Sequence, residues 1–150
     1  KIEHNLVLVG HVNHETRFLE TYVKNKHLEE RIQFTGFLSN EELNQVLFES
    51  ALFVNPSLFE GFGMTAIEAA IRHVPVISST TGASVEVTRS LLNYYEPADD
   101  YEVLAEKMLE ILQTKPSESN LAAIRSEYLR CYNYMIISKI YYELFEGMME

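Results

Sequence analysis

Two carboxylates flank a glycine turn in the stretch "NPSLFEGFGMTAIEAAIRHVPVISS", residues 55–79. Glu60 stands just before Gly61-Phe62-Gly63, and Glu68 falls inside the helical segment that follows. Glycines here let the backbone bend tightly and approach a ligand closely. The helix is expected to begin near Met64 or Thr65. Its unpaired N–H groups and positive dipole end make an anion site suited to phosphate. A carboxylate directly beside bound phosphate would repel it. Glu68, about one turn further in, is therefore read as accepting hydrogen bonds from neutral hydroxyls next to that phosphate, such as those of a ribose. Glu60, on the loop before the glycines, could reach a second polyhydroxylated group beyond the phosphate. The implied ligand is sugar, phosphate and ribose in a row. Two other readings stay open at this point. The pair could be the acid and base of a glycoside hydrolase, for which spacing supplies no carboxyl separation. Glu68 could also be a simple helix-face charge, with Glu60 a partner of the helix dipole.

The elements that must position these residues follow from hydrophobic patterning. Short apolar runs at 5–10 ("NLVLVG"), 32–36 ("IQFTG"), 51–55 ("ALFVN"), 75–79 ("PVISS") and 93–96 ("NYYE") read as strands. The first four lack polar alternation, which suits strands buried on both faces. Phe18, Leu19, Tyr22 and Val23 mark one helical stripe between them, and Leu43, Val46 and Leu47 another. Ser39, three residues before Glu42, is a capping-box pattern for the second. Asp99 stands in the same relation to Glu102, ahead of a helix lined by Leu104, Met108, Ile111 and Leu112. Alternating strands and helices predict an α/β, Rossmann-like, mostly parallel sheet with helices on both faces, and ligands at the carboxyl ends of its strands. After the break "TKPSESN", Leu121, Ile124, Tyr128 and Leu129 line a further helix. Ile137, Ile140, Tyr141, Leu144, Phe145 and Met148 line the last, and both are expected to pack on the sheet.

Composition limits what such a domain can do. With 150 residues, 8 Phe and 9 Tyr, the chain can bury a core as one domain. No apolar run approaches the roughly 20 residues of a membrane-spanning helix, and "KIEHNLVLVG" is a charged lead into a strand rather than a signal peptide. The formal charge of −10, with 12 unclustered basic residues, argues against nucleic acid as a partner. An anionic ligand must then be held locally by backbone N–H groups. The single Cys131 cannot form an internal disulfide, which fits a reducing cytoplasm, and it is read as a packing residue. There is no Asp-x-Asp motif, and the five histidines lack a ligand spacing such as His-x-x-x-His. His11 and His14 are read as surface loop residues.

On these motifs the chain resembles the retaining GT-B glycosyltransferases of family four. "PSLFEGFGMTAIEAA" is similar to their E(x)7E motif, with Glu60 and Glu68 at its two acidic positions. "LVLVG", "RIQFTGFLSNEEL", "VPVISSTTGASVEV" and "EPADDYEVLAEKM" resemble further motifs of the family in the same order, which is far more specific than one short pattern. The resemblance implies that residues 1–150 are the nucleotide-sugar donor-binding domain, the carboxyl-terminal half of a GT-B fold. It implies transfer of a hexose from a nucleotide diphosphate sugar with retention of configuration, without a metal or other cofactor, in polysaccharide or glycoconjugate synthesis. Glu60 would contact the donor sugar as the catalytic residue, and Glu68 the ribose. Backbone groups of Gly61, Phe62, Gly63, Met64 and Thr65 would hold sugar and diphosphate, and Gly36, Phe37 and Leu38 would lie near the base. A nucleotide-sugar epimerase of the same fold and a non-catalytic nucleotide-binding module are the alternatives.

The chain also departs from the family pattern. The family's domain begins one strand earlier, with a glycine-rich turn and then an Arg and a Lys that grip the diphosphate. These and the amino-terminal acceptor domain, which would bind an acceptor glycan or lipid, are expected to lie outside this sequence. The fragment alone is expected to be inactive. A cytoplasmic location is expected, with any contact to the inner membrane face made through the missing domain. His73 stands where the family has a glycine ending the E(x)7E helix. It is read as tolerating a left-handed helix end at a cost of about 1 kcal/mol, rather than as catalytic. "TTGASVEV" keeps one of two usual loop glycines, and Glu86 matches a family acidic position whose role stays open beside its plain reading as a helix-start charge.

Overall fold

The alternation is realised in a computed structural model that describes residues 3–148. The chain divides into two compact units, Lys1–Val46 and Leu47–Glu150. In the first, strand β1 (Leu6–Val9) pairs in parallel with β2 (Ile32–Gly36), Leu6 opposite Ile32 and Leu8 opposite Phe34. Helix α1 (His14–Asn25) connects them. Asn13 caps it by accepting from the Thr16 N–H at 2.9 Å, and Thr16 Oγ1 accepts from the Asn13 N–H at 3.2 Å. This is a capping box built with Thr in place of Glu. Helix α2 (Asn40–Glu49) starts where the Ser39 pattern places it. The Ser39 N–H donates to Glu42 Oε2 at 2.8 Å, and Ser39 Oγ accepts from the Glu42 N–H at 3.3 Å. The bond from the Ser39 N–H holds the Glu42 carboxyl below its usual range.

The second unit is built on a parallel three-stranded sheet. Strand β3 (Phe53–Asn55) pairs with β4 (Val76–Ser79), which pairs with β5 (Asn93–Tyr95). Central β4 is buried along its whole length, as expected for a strand covered on both faces. The same expectation fails for β1. Leu6, Val7 and Val9 are exposed, because β2 is the strand's only partner among the described residues and a two-stranded ladder offers little surface to bury against. For the same reason only Val23 of the α1 stripe is buried.

Helix α3 (Met64–Ile71) follows β3, and α4 (Ser84–Val87) follows β4. Helix α5 (Tyr101–Thr114) packs Ile111 against Ile77 and Tyr95, with Val54, Leu104 and Met108 around them. Its cap is Asp100 rather than Asp99. Asp100 Oδ1 accepts from the N–H groups of Glu102 and Val103, both at 3.0 Å, because a cap must lie immediately before the first helical turn.

The two terminal helices depart from the expected packing on the sheet. Helix α6 (Glu118–Cys131) lies on α3. Ala66, Ala69 and Ala70 of α3 are buried, and such small side chains let another helix approach closely. Polar contacts from α6 then reach the ends of both short helices. Arg125 Nη1 donates to the Ile71 carbonyl at 2.6 Å at the end of α3. Tyr128 OH donates to the Thr88 carbonyl at 2.8 Å, and Tyr132 OH to that of Val87, at the end of α4. Glu127 bridges Arg130 at 2.7 Å and Arg89 at 3.0 Å, and the Arg130 hydrogen bonds foremost hold its carboxyl down at about 2. Helix α7 (Tyr134–Gly147) has no buried residue, so its apolar positions do not rest on the sheet; its neighbour is α6. No helix of the described residues is long and apolar enough to cross a membrane.

Tyr128 is fully buried, and burial pushes its phenol well above the ordinary range. Its hydroxyl satisfies the carbonyl of buried Thr88. Tyr128→Phe keeps the ring and removes the donor, so it should cost about 1–2 kcal/mol of stability in denaturant unfolding. An unchanged unfolding midpoint would show that the α6 clasp does not depend on this bond.

Candidate functional site

The site is built at the carboxyl end of β3. Pro56 has no N–H to continue the ladder, so the chain leaves the sheet after Asn55 and runs across the end of β4 before entering α3. Polar side chains of β4 and the loop behind it hold this crossing. Ser79 Oγ donates to the Ser57 carbonyl at 2.6 Å, and Thr81 Oγ1 donates to the same oxygen at 2.7 Å. The Ala83 N–H reaches the Glu60 carbonyl at 3.4 Å. Between them Gly82, at φ +59°, lies so close that a Cβ there would stand 1.9 Å from the Glu60 carbonyl oxygen.

Half-buried Glu60 is held by its side chain as well. Asn55 Nδ2 donates to Glu60 Oε2 at 3.2 Å, and Ser57 Oγ lies 3.1 Å from the same oxygen. Buried Asn55 also donates to Ser78 Oγ at 3.3 Å, and Ser78 Oγ lies 2.9 Å from Ser84 Oγ. The Ser84 carbonyl accepts from Thr88 Oγ1 at 2.6 Å, and Thr88 Oγ1 bonds Tyr94 OH. Polar contacts thus run from the half-buried carboxylate into the core, through Ser78, Ser84 and Thr88, which are at most 1% exposed. Among the described residues no buried side-chain polar atom lacks a partner.

Helix α3 begins at Met64, as the sequence predicts. Its N-cap is Gly63, in the left-handed region at φ 81°, with no side-chain cap. The N–H groups of Met64 and Thr65 therefore face the carboxyl ends of the strands without a side chain bonded to them, which is the arrangement that attracts an anion. A Cβ on Gly63 would stand in ordinary contact with Glu60 Cγ at 3.4 Å, so it is the left-handed φ that calls for glycine here. Gly61 does not need its freedom. Its φ is outside the left-handed region and nothing lies where its Cβ would be, so the tight turn expected of both glycines rests on Gly63 alone.

Glu68 is half-buried one turn into α3; its carbonyl accepts from Arg72 Nη1 at 2.7 Å, and no donor of the described residues bonds its carboxylate. Exposed Phe62 sets its ring edge-on to Tyr132 at 6.1 Å. Glu60, Gly61, Phe62, Gly63, Met64, Thr65 and Glu68 thus share one loop and helix start in the second unit. Gly36, Phe37 and Leu38 lie in the first unit, at the carboxyl end of β2, where the exposed Phe37 ring stacks on His11 at 5.0 Å. His11 and His14 are exposed, as read, but the His11 stacking was not foreseen. His73 ends α3 in the left-handed region at φ 63°, and its Nδ1 lies 2.6 Å from Glu118 Oε1 of α6, so it serves the helix end. Glu86 is exposed in the first turn of α4. Cys131 is half-buried against Glu127. No cluster of three or more His, Cys, Asp or Glu side chains among the described residues could hold a metal ion.

Sequence reasoning missed Asn55, Ser57, Ser78, Ser79, Thr81 and Ser84. One signal was available. The apolar run at 75–79 ends in two serines just where the sheet meets the loop, and buried hydroxyls at a strand end need partners.

Comparison with known proteins identifies the family and the fold. The family model described as "Glycosyl transferases group 1" matches residues 1–127. The 2-deoxystreptamine N-acetyl-D-glucosaminyltransferase of Niallia circulans is 36% identical over 69 residues, which cover 46% of this chain and 18% of that protein. Among solved structures, the sucrose-phosphate synthase of Thermosynechococcus elongatus superposes with a TM-score of 0.79 at 26% identity, over 95% of this chain and 39% of the other. Anabaena HepE in complex with UDP-glucose superposes with a TM-score of 0.79 at 19% identity, over 95% of this chain and 41% of the other. The fold is that of GT-B glycosyltransferases, and the chain spans less than half the length of each of these proteins.

The glycines make a prediction about the loop. Gly82→Ala drives a methyl into the Glu60 carbonyl and should cost about 2 kcal/mol or more in denaturant unfolding. Gly61→Ala meets open space and should stay within about 0.5 kcal/mol. Equal effects at the two positions would contradict the close approach at Gly82.

Proposed function

Because the chain belongs to the group 1 glycosyl transferase family, we propose that it is the donor-binding part of a hexosyltransferase that uses a nucleotide diphosphate sugar and retains the anomeric configuration. The observation that carries this reading is the pairing of a held carboxylate, Glu60, with an α3 start that has no side-chain cap. The helix start suits the diphosphate, which becomes the leaving group and gains charge as the glycosidic bond breaks. Backbone groups of Gly61, Phe62, Gly63, Met64 and Thr65 line that position. Glu68, with a carboxylate that no described donor occupies, is suited to accept from ribose hydroxyls one turn further in. Glu60 then faces the transferred sugar, where positive charge develops on the ring. The HepE complex with UDP-glucose shows that this fold takes such a donor in that protein.

The two carboxylates should separate by mutation in the complete protein. Glu68→Gln should weaken binding of free nucleoside diphosphate and of nucleotide sugar alike, by about 1–3 kcal/mol. Glu60→Gln should leave free nucleoside diphosphate binding almost unchanged and lower turnover, since its contact tightens as charge develops. Calorimetry and transfer kinetics read the two effects, and equal losses of nucleotide affinity in both variants would sink the assignment. The reading also assigns charge neutralisation to helix N–H groups and basic side chains rather than to a metal. Activity should therefore persist in excess chelator; a loss reversed by Mn²⁺ or Mg²⁺ would count against it.

A further inference from the structure

The hydrogen bonds around Glu60 are unequal at its two oxygens. Oε2 receives Asn55 Nδ2 at 3.2 Å and faces Ser57 Oγ at 3.1 Å, whereas no described residue bonds Oε1. The orientation of the Asn55 amide follows from its neighbour, since a carboxylate only accepts and Oδ1 placed there would repel it. Both amide protons are then in use, one on Glu60 Oε2 and one on Ser78 Oγ at 3.3 Å. Ser57 has one proton and two acceptors in reach, Asn55 Oδ1 at 3.0 Å and Glu60 Oε2 at 3.1 Å. The charged acceptor is the stronger by about twofold, so the proton goes to Glu60 while that group is ionised.

We propose that Ser57 is a positioning residue for Glu60: with Asn55 it fixes Oε2 before the donor arrives and leaves Oε1 as the oxygen that meets the transferred sugar. This rests on the role of Glu60 proposed above. Ser57 suits the task because its backbone is immobilised independently of its hydroxyl, by Ser79 and Thr81 on its carbonyl. Asn55 is anchored by Ser78 in the buried polar chain. The carboxylate is thus held from two sides by neutral donors whose own supports lie in the sheet and in the loop behind it. Preorganisation of this kind acts on the transition state more than on ground-state binding.

The test uses the complete protein, with calorimetric titration of UDP and GDP and with release of nucleoside diphosphate from a panel of UDP- and GDP-sugars. Ser57→Ala should lower kcat about tenfold while the affinity for the nucleoside diphosphate that binds changes less than about twofold. Ser57→Thr, which keeps the hydroxyl, should recover most of the rate. In the Glu60→Gln background Ser57→Ala should add little, because its effect passes through the ionised carboxylate. An unchanged kcat in Ser57→Ala, an equal loss in Ser57→Thr, or multiplicative losses in the double variant would each overturn the positioning role. If Ser57→Thr does not fold, the double variant decides. Failure of the parent reading looks different. There, Glu60→Gln itself leaves kcat intact, and both proposals fall; a Glu60→Gln loss with independent Ser57 effects removes only this one.

Discussion

A negative charge at the end of a short strand must be kept in place without being neutralised, and much of the second unit is arranged around that need. Glu60 sits on a loop that has left the sheet, so ladder bonds cannot hold it. A cation at Glu60 would hold the charge but consume it in an ion pair. The structure supplies neutral donors instead: the Asn55 amide, the Ser57 hydroxyl and, behind them, Ser78 and Ser84. Neutral donors orient the carboxylate and leave its charge available. They are themselves buried polar groups, each costly unless satisfied, which explains why the chain continues to Thr88 and Tyr94 instead of stopping at the first shell of contacts.

The same need accounts for α6. Helices α3 and α4 are short, eight and four residues, and neither could hold a loop in place alone. Arg125, Tyr128 and Tyr132 of helix α6 and its end bond carbonyls at the ends of both, and α6 packs on α3, whose alanines are buried. Tyr132 also touches Phe62 on the glycine turn. A helix remote in sequence from the E(x)7E motif thus braces the helix inside that motif and the short helix after β4.

Local and overall electrostatics point in opposite directions. The chain carries a formal charge of −10, yet its candidate anion site is a helix start without a side-chain cap. Backbone N–H groups act over the first turn only, so such a site works against an unfavourable field only at contact distance. This favours a ligand bound through many contacts, sugar and ribose included, over one drawn in by charge.

Local patterns in the sequence determined the strands, most helix starts, the α3 start at Met64 and the placement of Glu60 and Glu68 on either side of it. Those features depend on residues within a few positions of one another, where apolar period, Ser39 with Glu42, and Gly63 before a helix act directly. The left-handed end at His73 was legible only through the resemblance, which puts a glycine at that position. Burial was less legible, because it depends on what covers an element: apolar β1 is exposed, while β4 hides two serines. The Asp100 cap was missed by one residue, within the tolerance of any pattern that does not see where the first turn closes. What tertiary structure alone decided is the support of Glu60. Its partners Asn55 and Ser57 are near it in the chain, but their anchors Ser78, Ser79 and Thr81 come from β4 and the loop after it. Ser57, Ser78 and Gly82 look like ordinary loop and strand-end residues until parallel pairing of β3 with β4 brings those ends together.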